Sequence, residues 1–179
     1  MHITEAREAR ALLDFQANHD PLTDLKNRRG VLQAMTAVLA HPPRTGTNLG
    51  VLYCDLDGFK QVNDQHGHAV GDEILIEVGR RIRRCVRNGD TVGRLGGDEF
   101  VVLLTQIHDV ADAIRVGEHI RAEVARPVRC GSGEVTPTLS VGVALARSGD
   151  DTDAVLARAD RALYKAKESG RNRTVGEPD

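Results

Sequence analysis

The sequence predicts an α+β fold: an antiparallel central sheet flanked by helices in a split β-α-β arrangement. Two observations predict it: amphipathic helical patterns alternate with short β-rich runs, and closely spaced glycines punctuate two pairs of those runs, as in β-hairpins. The 179 residues suit one domain. We place it at residues 19–175, between a connector or stalk helix over residues 1–18 and a tail over residues 176–179.

The composition excludes several classes of protein. Hydrophobic residues at 40% and charged residues at 28% exclude a disordered chain. A net charge of -2 and an aromatic content of 3% argue against a nucleic-acid binder. The longest strictly aliphatic or aromatic run covers residues 100–104, and no basic-then-apolar leader is present, so we expect neither a membrane segment nor secretion. Cys54, Cys85 and Cys130 are too widely spaced for a zinc knuckle, which favours reduced thiols in a cytoplasmic protein.

The first two elements are predicted to be helices. Residues 3–18 carry apolar side chains at approximate heptad spacing, but Arg10 interrupts them, so this helix is a weak stalk. Pro21 breaks it. A second helix is expected over residues 28–40, before a Pro-rich surface loop at residues 41–48.

The middle of the chain predicts a strand, a helix and a hairpin. Residues 49–56 are almost continuously apolar, which suits a strand buried on both faces. A helix follows and stops at Gly89; its apolar stripe comprises Leu75, Val78, Ile82, Cys85 and Val86. Strands over residues 91–95 and 98–104 then flank Gly96-Gly97, which predicts a tight turn.

The last third predicts two more helices and a second hairpin, from cap residues, glycines and hydrophobic periodicity. The expected elements are a helix capped by Asp109 and closed by Pro127, strands over residues 128–130 and 135–146 joined by a turn at residues 131–133, a helix from Asp151 or Thr152 to Gly170, and a short strand over residues 173–175.

Acidic residues gather at two predicted turns. Asp55 and Asp57 end a buried strand, and residues i and i+2 of an extended chain point to the same side. Asp98 and Glu99 lie at the hairpin tip, where the simplest register places Arg94 opposite Glu99. If the strand lies beside this hairpin, two pairs of carboxylates converge at one end of the sheet.

Converging carboxylates predict a divalent cation. They raise each other's pKa by repulsion, and a cation relieves that repulsion. Ligands that are all oxygen favour Mg²⁺ or Mn²⁺, which commonly act on phosphates. The alternative is that Asp and Gly are here only as solvated turn residues.

Basic side chains provide candidates for binding those phosphates. Lys60 lies three residues after the first acidic pair, and four cations crowd the end of the last helix: Lys165, Lys167, Arg171 and Arg173. Together with a metal site they suggest a triphosphate clamp. Alone, cations at a helix C-terminus only complement the helix dipole.

Asn63, His68 and Asp72 form a third polar group. Asn and Asp can bind a purine edge by paired hydrogen bonds, and the N–H donors of guanine suit a carboxylate. The alternative for all three is a role as local caps and turns.

Five ordered segments carry a resemblance to one family. They are residues 20–28 (DPLTDLKNR), 55–60 (DLDGFK), 63–72 (NDQHGHAVGD), 96–100 (GGDEF) and 167–172 (KESGRN). The chain resembles the GGDEF-domain diguanylate cyclases across residues 18–173. The visible departure is Asp24, where glycine is common in the family. The resemblance implies a ferredoxin-like sheet of the nucleotidyl-cyclase palm type.

The resemblance also implies a catalytic and metal centre. Asp55, Asp98 and the carbonyl of Leu56 bind Mg²⁺ or Mn²⁺. Asp98 assists deprotonation of the attacking 3′-hydroxyl, and Glu99 supports the same site. The protein contributes mainly positioning, since the metals stabilise the charges.

Substrate contacts follow from the same resemblance. Guanine is bound by Asn63 and Asp72, with His68 in the same motif, and the glycines of the hairpin let the nucleotide approach the backbone. The phosphate-binding and turn residues are Lys60, Lys167, Arg171, Gly96 and Gly97.

The implied reaction joins two GTP molecules into cyclic di-GMP and releases two pyrophosphates. Each domain of this kind holds one GTP, so a two-fold homodimer is required. Arg87 and Asp90 match an R-x-x-D inhibitory site for the product; the alternative is a helix stop with a polar turn. The alternative function is a catalytically inactive module that binds GTP or cyclic di-GMP.

Overall fold

The computed structural model describes residues 2–41, 46–131 and 133–178, which form six helices and seven strands. The helices are α1 (His2–Asn18), α2 (Arg28–Ala40), α3 (Phe59–His66), α4 (His68–Arg84), α5 (Val110–Val124) and α6 (Thr152–Glu168). The strands are β1 (Asn48–Leu56), β2 (Thr91–Gly96), β3 (Glu99–Ile107), β4 (Val128–Cys130), β5 (Gly133–Val135), β6 (Leu139–Leu145) and β7 (Arg173–Gly176).

The main sheet confirms the predicted α+β fold. In the described residues its five strands lie in the order β2-β3-β1-β6-β7. The first three neighbouring pairs are antiparallel, and β6 and β7 are parallel. The parallel pair arises because the chain returns through α6 between the two strands, as parallel neighbours require. Strands β4 and β5 form a separate ribbon.

Helices cover both faces of this sheet, which explains the apolar character of β1. Leu52 and Cys54 belong to a core shared with α4 and α5. The alternate residue Val51 belongs to a second core shared with α2 and α6, and Tyr53 packs at its margin. Because side chains alternate along a strand, a central strand between two helical layers must be apolar at nearly every position.

Most predicted helix ends are confirmed. The side chains of Asn27, Asp109 and Asp151 accept a backbone N–H at the starts of α2, α5 and α6, as N-caps do. Helix α1 contains no buried residue. Residues 42–45 of the predicted loop and Ser132 of the predicted turn lie outside the described residues. None of the described helices is both long and apolar enough to span a bilayer.

Three elements differ from the prediction. Helix α4 ends at Arg84 and does not continue to Gly89. The strand expected over residues 135–146 is β6 alone, because β5 begins at Gly133 of the predicted turn and ends at Val135. Between the two strands lies the buried Pro137, which has no N–H to donate to a ladder. Helix α3 was not predicted: it is short, polar and without a buried residue, and it begins at Gly58 in the left-handed conformation (φ 67°). The three cysteines are free thiols, as predicted.

Candidate active site

The tip of the β2–β3 hairpin presents Asp98 at one end of the sheet. Gly96 pairs with Glu99, and Arg94 pairs with Phe100, with an irregularity between them. The expected pairing of Arg94 with Glu99 is therefore wrong, because Leu95 is an extra residue on β2. Gly96 (φ 139°) and Gly97 (φ 51°) adopt backbone angles that side chains disfavour, which allows this tight turn.

The structure brings Asp55, Asp98 and Glu99 together, as predicted for the sheet end. Asp55 lies opposite Glu99 on the β1–β3 ladder. The N–H of Leu56 donates to the carbonyl of Asp98 at 3.2 Å, which ties the hairpin tip to the end of β1. Three carboxylates, two on neighbouring strands and one in the hairpin turn, thus lie at one end of the sheet.

The surroundings of this cluster disfavour the charged form of Asp98. Burial, and then the charge of Asp55, together raise the pKa of Asp98 to about 6. The Oδ1 atom of Asp55 is buried and has no hydrogen-bond partner among the described residues. A buried carboxylate oxygen without a partner is costly unless a ligand satisfies it.

Lys167 provides a partial counter-charge. Its ammonium group, in the last turn of α6, donates to Oδ2 of Asp55. Burial alone lowers the pKa of Lys167, but the hydrogen bond to Asp55 and the nearby carboxylates raise the pKa above its ordinary value. The phosphate-binding candidate therefore already lies against the metal-binding candidate.

Tyr53 is a site residue that the sequence analysis missed. Its hydroxyl donates to Oε2 of Glu99 at 3.1 Å. Burial, and then the charge of Glu99, raise the pKa of Tyr53 to about 12, so it remains a donor. Strand periodicity could have indicated it, because Tyr53 lies two residues before Asp55 on the same face of β1.

Asp57 has a different environment from Asp55. Its carboxylate accepts hydrogen bonds from Thr138 Oγ1 (2.8 Å), Ser140 Oγ (2.7 Å) and the N–H of Asn172 (3.0 Å). Both carboxylate oxygens of Asp57 thus accept hydrogen bonds, from residues at the start of β6 and from the turn after α6. The expected convergence of two full pairs is thus incomplete, because Asp57 of the pair Asp55 and Asp57 is already satisfied within the fold.

The donor set fits a magnesium-type ion with few protein ligands. Within the described ranges, no three His, Cys, Asp or Glu side chains are grouped as a metal site made of side chains alone requires. Mg²⁺ commonly takes one or two carboxylates and completes its shell with water and substrate phosphates. The unpartnered Asp55 oxygen beside Asp98 matches that pattern.

The guanine-binding candidates lie on α3 and α4. His68 and Asp72 are exposed in the first turns of α4. Asn63 packs against Gly71, where a Cβ atom would lie 1.9 Å from Asn63 Oδ1, so only glycine leaves room. That Asn63 oxygen is also buried and has no hydrogen-bond partner among the described residues.

The remaining predicted residues are at the surface or in turns. Lys60 on α3 and Arg171 after α6 are exposed. In the R-x-x-D segment, Arg87 is exposed, whereas Asp90 accepts the N–H groups of Arg87 (3.0 Å) and Thr105 (3.2 Å). Asp90 therefore has the structural role of the polar-turn alternative, and the side chain of Arg87 extends from that turn.

Comparisons with known proteins agree with this arrangement. A family model described as diguanylate cyclase, GGDEF domain, matches residues 17–173. Diguanylate cyclase TpbB of Pseudomonas aeruginosa is 41% identical over 167 residues, which cover 92% of this chain and 38% of TpbB. Cyclic di-GMP phosphodiesterase PdeR of Escherichia coli is 38% identical over 170 residues, which cover 94% of this chain and 25% of PdeR.

Solved structures share the fold. The coiled coil and GGDEF domain of DgcB from Caulobacter crescentus, in complex with c-di-GMP, matches with a TM-score of 0.90 and 30% identity, covering 98% of this chain and 93% of that one. The chain thus corresponds to nearly all of that solved chain, but it spans only 38% of TpbB and 25% of PdeR.

Proposed function

Because this chain belongs to the GGDEF domain family of diguanylate cyclases, we propose that it condenses two molecules of GTP into cyclic di-GMP and releases two pyrophosphates. The observation that carries the proposal is the carboxylate pair at the sheet end. Asp55 has a buried oxygen without a partner among the described residues, beside an Asp98 whose pKa is raised to about 6. Perturbed, incompletely satisfied carboxylates are characteristic of catalytic centres.

Asp55 and Asp98 would hold Mg²⁺ or Mn²⁺ together with the carbonyl of Leu56. When bound, the ion supplies positive charge against the attacking oxygen and the phosphates. Asp98 would accept the proton of the 3′-hydroxyl as a general base beside the ion. Glu99 keeps its orientation through the hydroxyl of Tyr53.

Binding of GTP uses both ends of the site. Asn63 and Asp72, with His68 beside them, would bind the guanine edge, and Gly96 and Gly97 leave the hairpin open to the nucleotide. Lys60, Lys167 and Arg171 would bind the phosphates. Lys167 and the metal would bind the same carboxylate, that of Asp55. Metal binding would therefore release the Lys167 ammonium to bind a phosphate.

The reaction needs two copies of the domain. One carboxylate centre and one guanine-binding group suit a single GTP, so both new bonds form when two domains meet across a two-fold axis. Helix α1, with no buried residue in this chain, would be the connector that brings them together. The GTP requirement and the free thiols favour the cytoplasm.

Product inhibition would act at Arg87 and Asp90. Asp90 holds the turn between α4 and β2, and Arg83 donates to the carbonyl of Asp90 at 2.7 Å. The exposed Arg87 guanidinium, on this fixed turn, suits a phosphate of cyclic di-GMP.

The test is product formation by the purified chain with Mg²⁺ and either GTP or ATP, followed by chromatography. We expect cyclic di-GMP from GTP and no cyclic dinucleotide from ATP. Specific activity should rise with protein concentration, because two domains must meet. Bound GTP without product at high protein concentration would reject the enzyme and support the binding module, an alternative that the match to PdeR keeps open.

A further inference from the structure

Two residues of the sequence motifs have no role in the proposed mechanism, and the structure joins them. Asp57 belongs to DLDGFK and Asn172 to KESGRN, yet the N–H of Asn172 donates to Asp57 Oδ2 at 3.0 Å. The contact connects the end of β1 to the turn after α6. The hydroxyls of Thr138 and Ser140 donate to the same carboxylate, so the position of Asp57 does not depend on the turn alone.

The turn that Asp57 holds has a strained backbone. Arg171 (φ 61°) and Asn172 (φ 46°) are consecutive non-glycine residues in the left-handed region. Such conformations are unfavourable for residues with a Cβ and persist where surrounding contacts determine them. The turn therefore depends on its hydrogen bonds to keep this shape.

A second contact holds the turn from the other side. Arg121 on α5 donates to Oδ1 of Asn172 at 3.0 Å. Arg121 is in turn held by Glu118 at 2.5 Å, and Glu118 also accepts the N–H of Thr174 on β7 at 3.2 Å. Asn172 is thus bound through its backbone by Asp57 and through its side chain by α5.

This turn carries Arg171 and is joined to the helix end that carries Lys167. The N–H of Gly170 donates to the carbonyl of Lys167 at 3.4 Å, and the Lys167 side chain contacts Asp55. A shift of the turn therefore moves Arg171 directly and removes a support of the last turn of α6 beside Lys167. Small displacements of positioning groups are expensive in catalysis.

We propose that Asp57 is a positioning residue that fixes the turn over residues 169–172, so that Lys167 and Arg171 lie at the phosphates of GTP. This inference rests on the proposed function and assigns that site a residue that binds neither metal nor substrate. Asp57 acts through its hydrogen bonds and not through its charge, because an uncharged amide of the same shape can keep all three of them. In Asp57→Asn, the amide oxygen accepts from Asn172 and Thr138, and the amide N–H donates to Ser140 Oγ.

The test compares Asp57→Ala with Asp57→Asn in the full chain. Loss of the carboxylate in Asp57→Ala should raise the KM for GTP about tenfold, the effect of one well-made hydrogen bond to the turn. Affinity for a non-hydrolysable GTP analogue should fall in proportion. Asp57→Asn should stay within about threefold of the unaltered chain, because its hydrogen bonds are retained. The Mg²⁺ concentration for half-maximal activity should not change in either variant.

A second pair of variants tests the same turn without touching Asp57. Arg121→Ala should raise the KM for GTP about threefold, since it removes one of the two supports of Asn172. The matched control is Arg115→Ala, because Arg115 is an exposed arginine of α5 that pairs with Asp112 and should leave the KM unchanged. Thermal unfolding of every variant checks that the protein is folded at the assay temperature.

Three outcomes would overturn the inference. A higher Mg²⁺ requirement in both Asp57 variants would make Asp57 a metal ligand. A lower melting temperature in Asp57→Ala with an unchanged KM would make its role purely structural. An unaltered chain that neither binds GTP nor forms product would reject the proposed function and this inference with it, whereas an active chain with an unaffected Asp57→Ala rejects the inference alone.

Discussion

At the scale of one residue, the carboxylate of Asp98 lowers the free energy of unfolding of the protein. Its folded-state pKa of about 6 lies above the ordinary value of 3.8 because burial and Asp55 disfavour the charged form. Between these two pH values the folded state binds more protons than the unfolded state. The stability of the folded protein therefore falls as the pH rises through this window.

Replacement of Asp98 by asparagine should remove this penalty. In the absence of divalent cations at pH 7, the free energy of unfolding of Asp98→Asn should exceed that of the unaltered chain by about 1 kcal/mol, after allowance for solvent screening. The variant should therefore unfold at a higher denaturant concentration. The gain should be full above pH 6 and vanish near pH 3.8. Urea unfolding across this range measures it. A gain that is independent of pH, or a variant less stable at pH 7, would contradict this explanation.

The residues of the site differ in how far the sequence could predict them. Asp55 and Asp98 follow from motif spacing and hairpin geometry, and the structure does bring them together. The distinct environment of Asp57 could not be predicted, because its partners lie 81 to 115 residues away on β6 and after α6. Tyr53 could have been indicated by strand periodicity, but its role as a donor to Glu99 is visible only from the pairing of β1 with β3.

At the scale of elements, the connection between α4 and β2 carries the proposed inhibitory site. Arg87→Ala should reduce product inhibition and raise activity at high cyclic di-GMP, because it removes the guanidinium that binds a product phosphate. Initial rates at increasing concentrations of added product measure the effect. Arg87 is the better choice than Asp90, whose carboxylate holds the turn through two backbone N–H groups.

The matched control for this prediction is Arg80→Ala. Arg80 is an exposed arginine on the same helix that pairs only loosely with Glu77, at 3.9 Å. It should be inhibited by product like the unaltered chain. Equal product inhibition in Arg87→Ala and Arg80→Ala would remove the inhibitory-site proposal.

Elements with strong periodicity and caps were the most predictable. Helix α2 spans residues 28–40 as expected, and Asp109 caps α5 as expected, because local capping and apolar stripes determine both. The pairing of β2 with β3 was predicted one residue out of register, since a bulge at Leu95 leaves no clear signal in sequence. Helix α3 was missed because it is only eight residues long and has only two apolar residues, Phe59 and Val62, which is too few to establish a helical period.

At the scale of the whole molecule, the sheet concentrates opposite charges at one end. The net charge of -2 is the balance of 24 basic and 26 acidic residues over the whole chain, and it conceals a local separation of the acidic Asp55, Asp98 and Glu99 from the basic Lys167. The acidic centre lies at the end of β1, a strand covered on two faces, so the apolar β1 determines where the polar chemistry lies.

The central claim is that Asp55 and Asp98 form the metal-dependent centre of a diguanylate cyclase. The most direct measurement is the rate of cyclic di-GMP formation from GTP as a function of Mg²⁺, in the unaltered chain and in Asp98→Ala, with Asp153→Ala on the exposed start of α6 as the control. We predict a saturable Mg²⁺ dependence in the unaltered chain and in Asp153→Ala, and a rate at least about a thousandfold lower in Asp98→Ala. Product formation by Asp98→Ala at the unaltered rate, or an unchanged rate in the presence of a chelator, would contradict the claim.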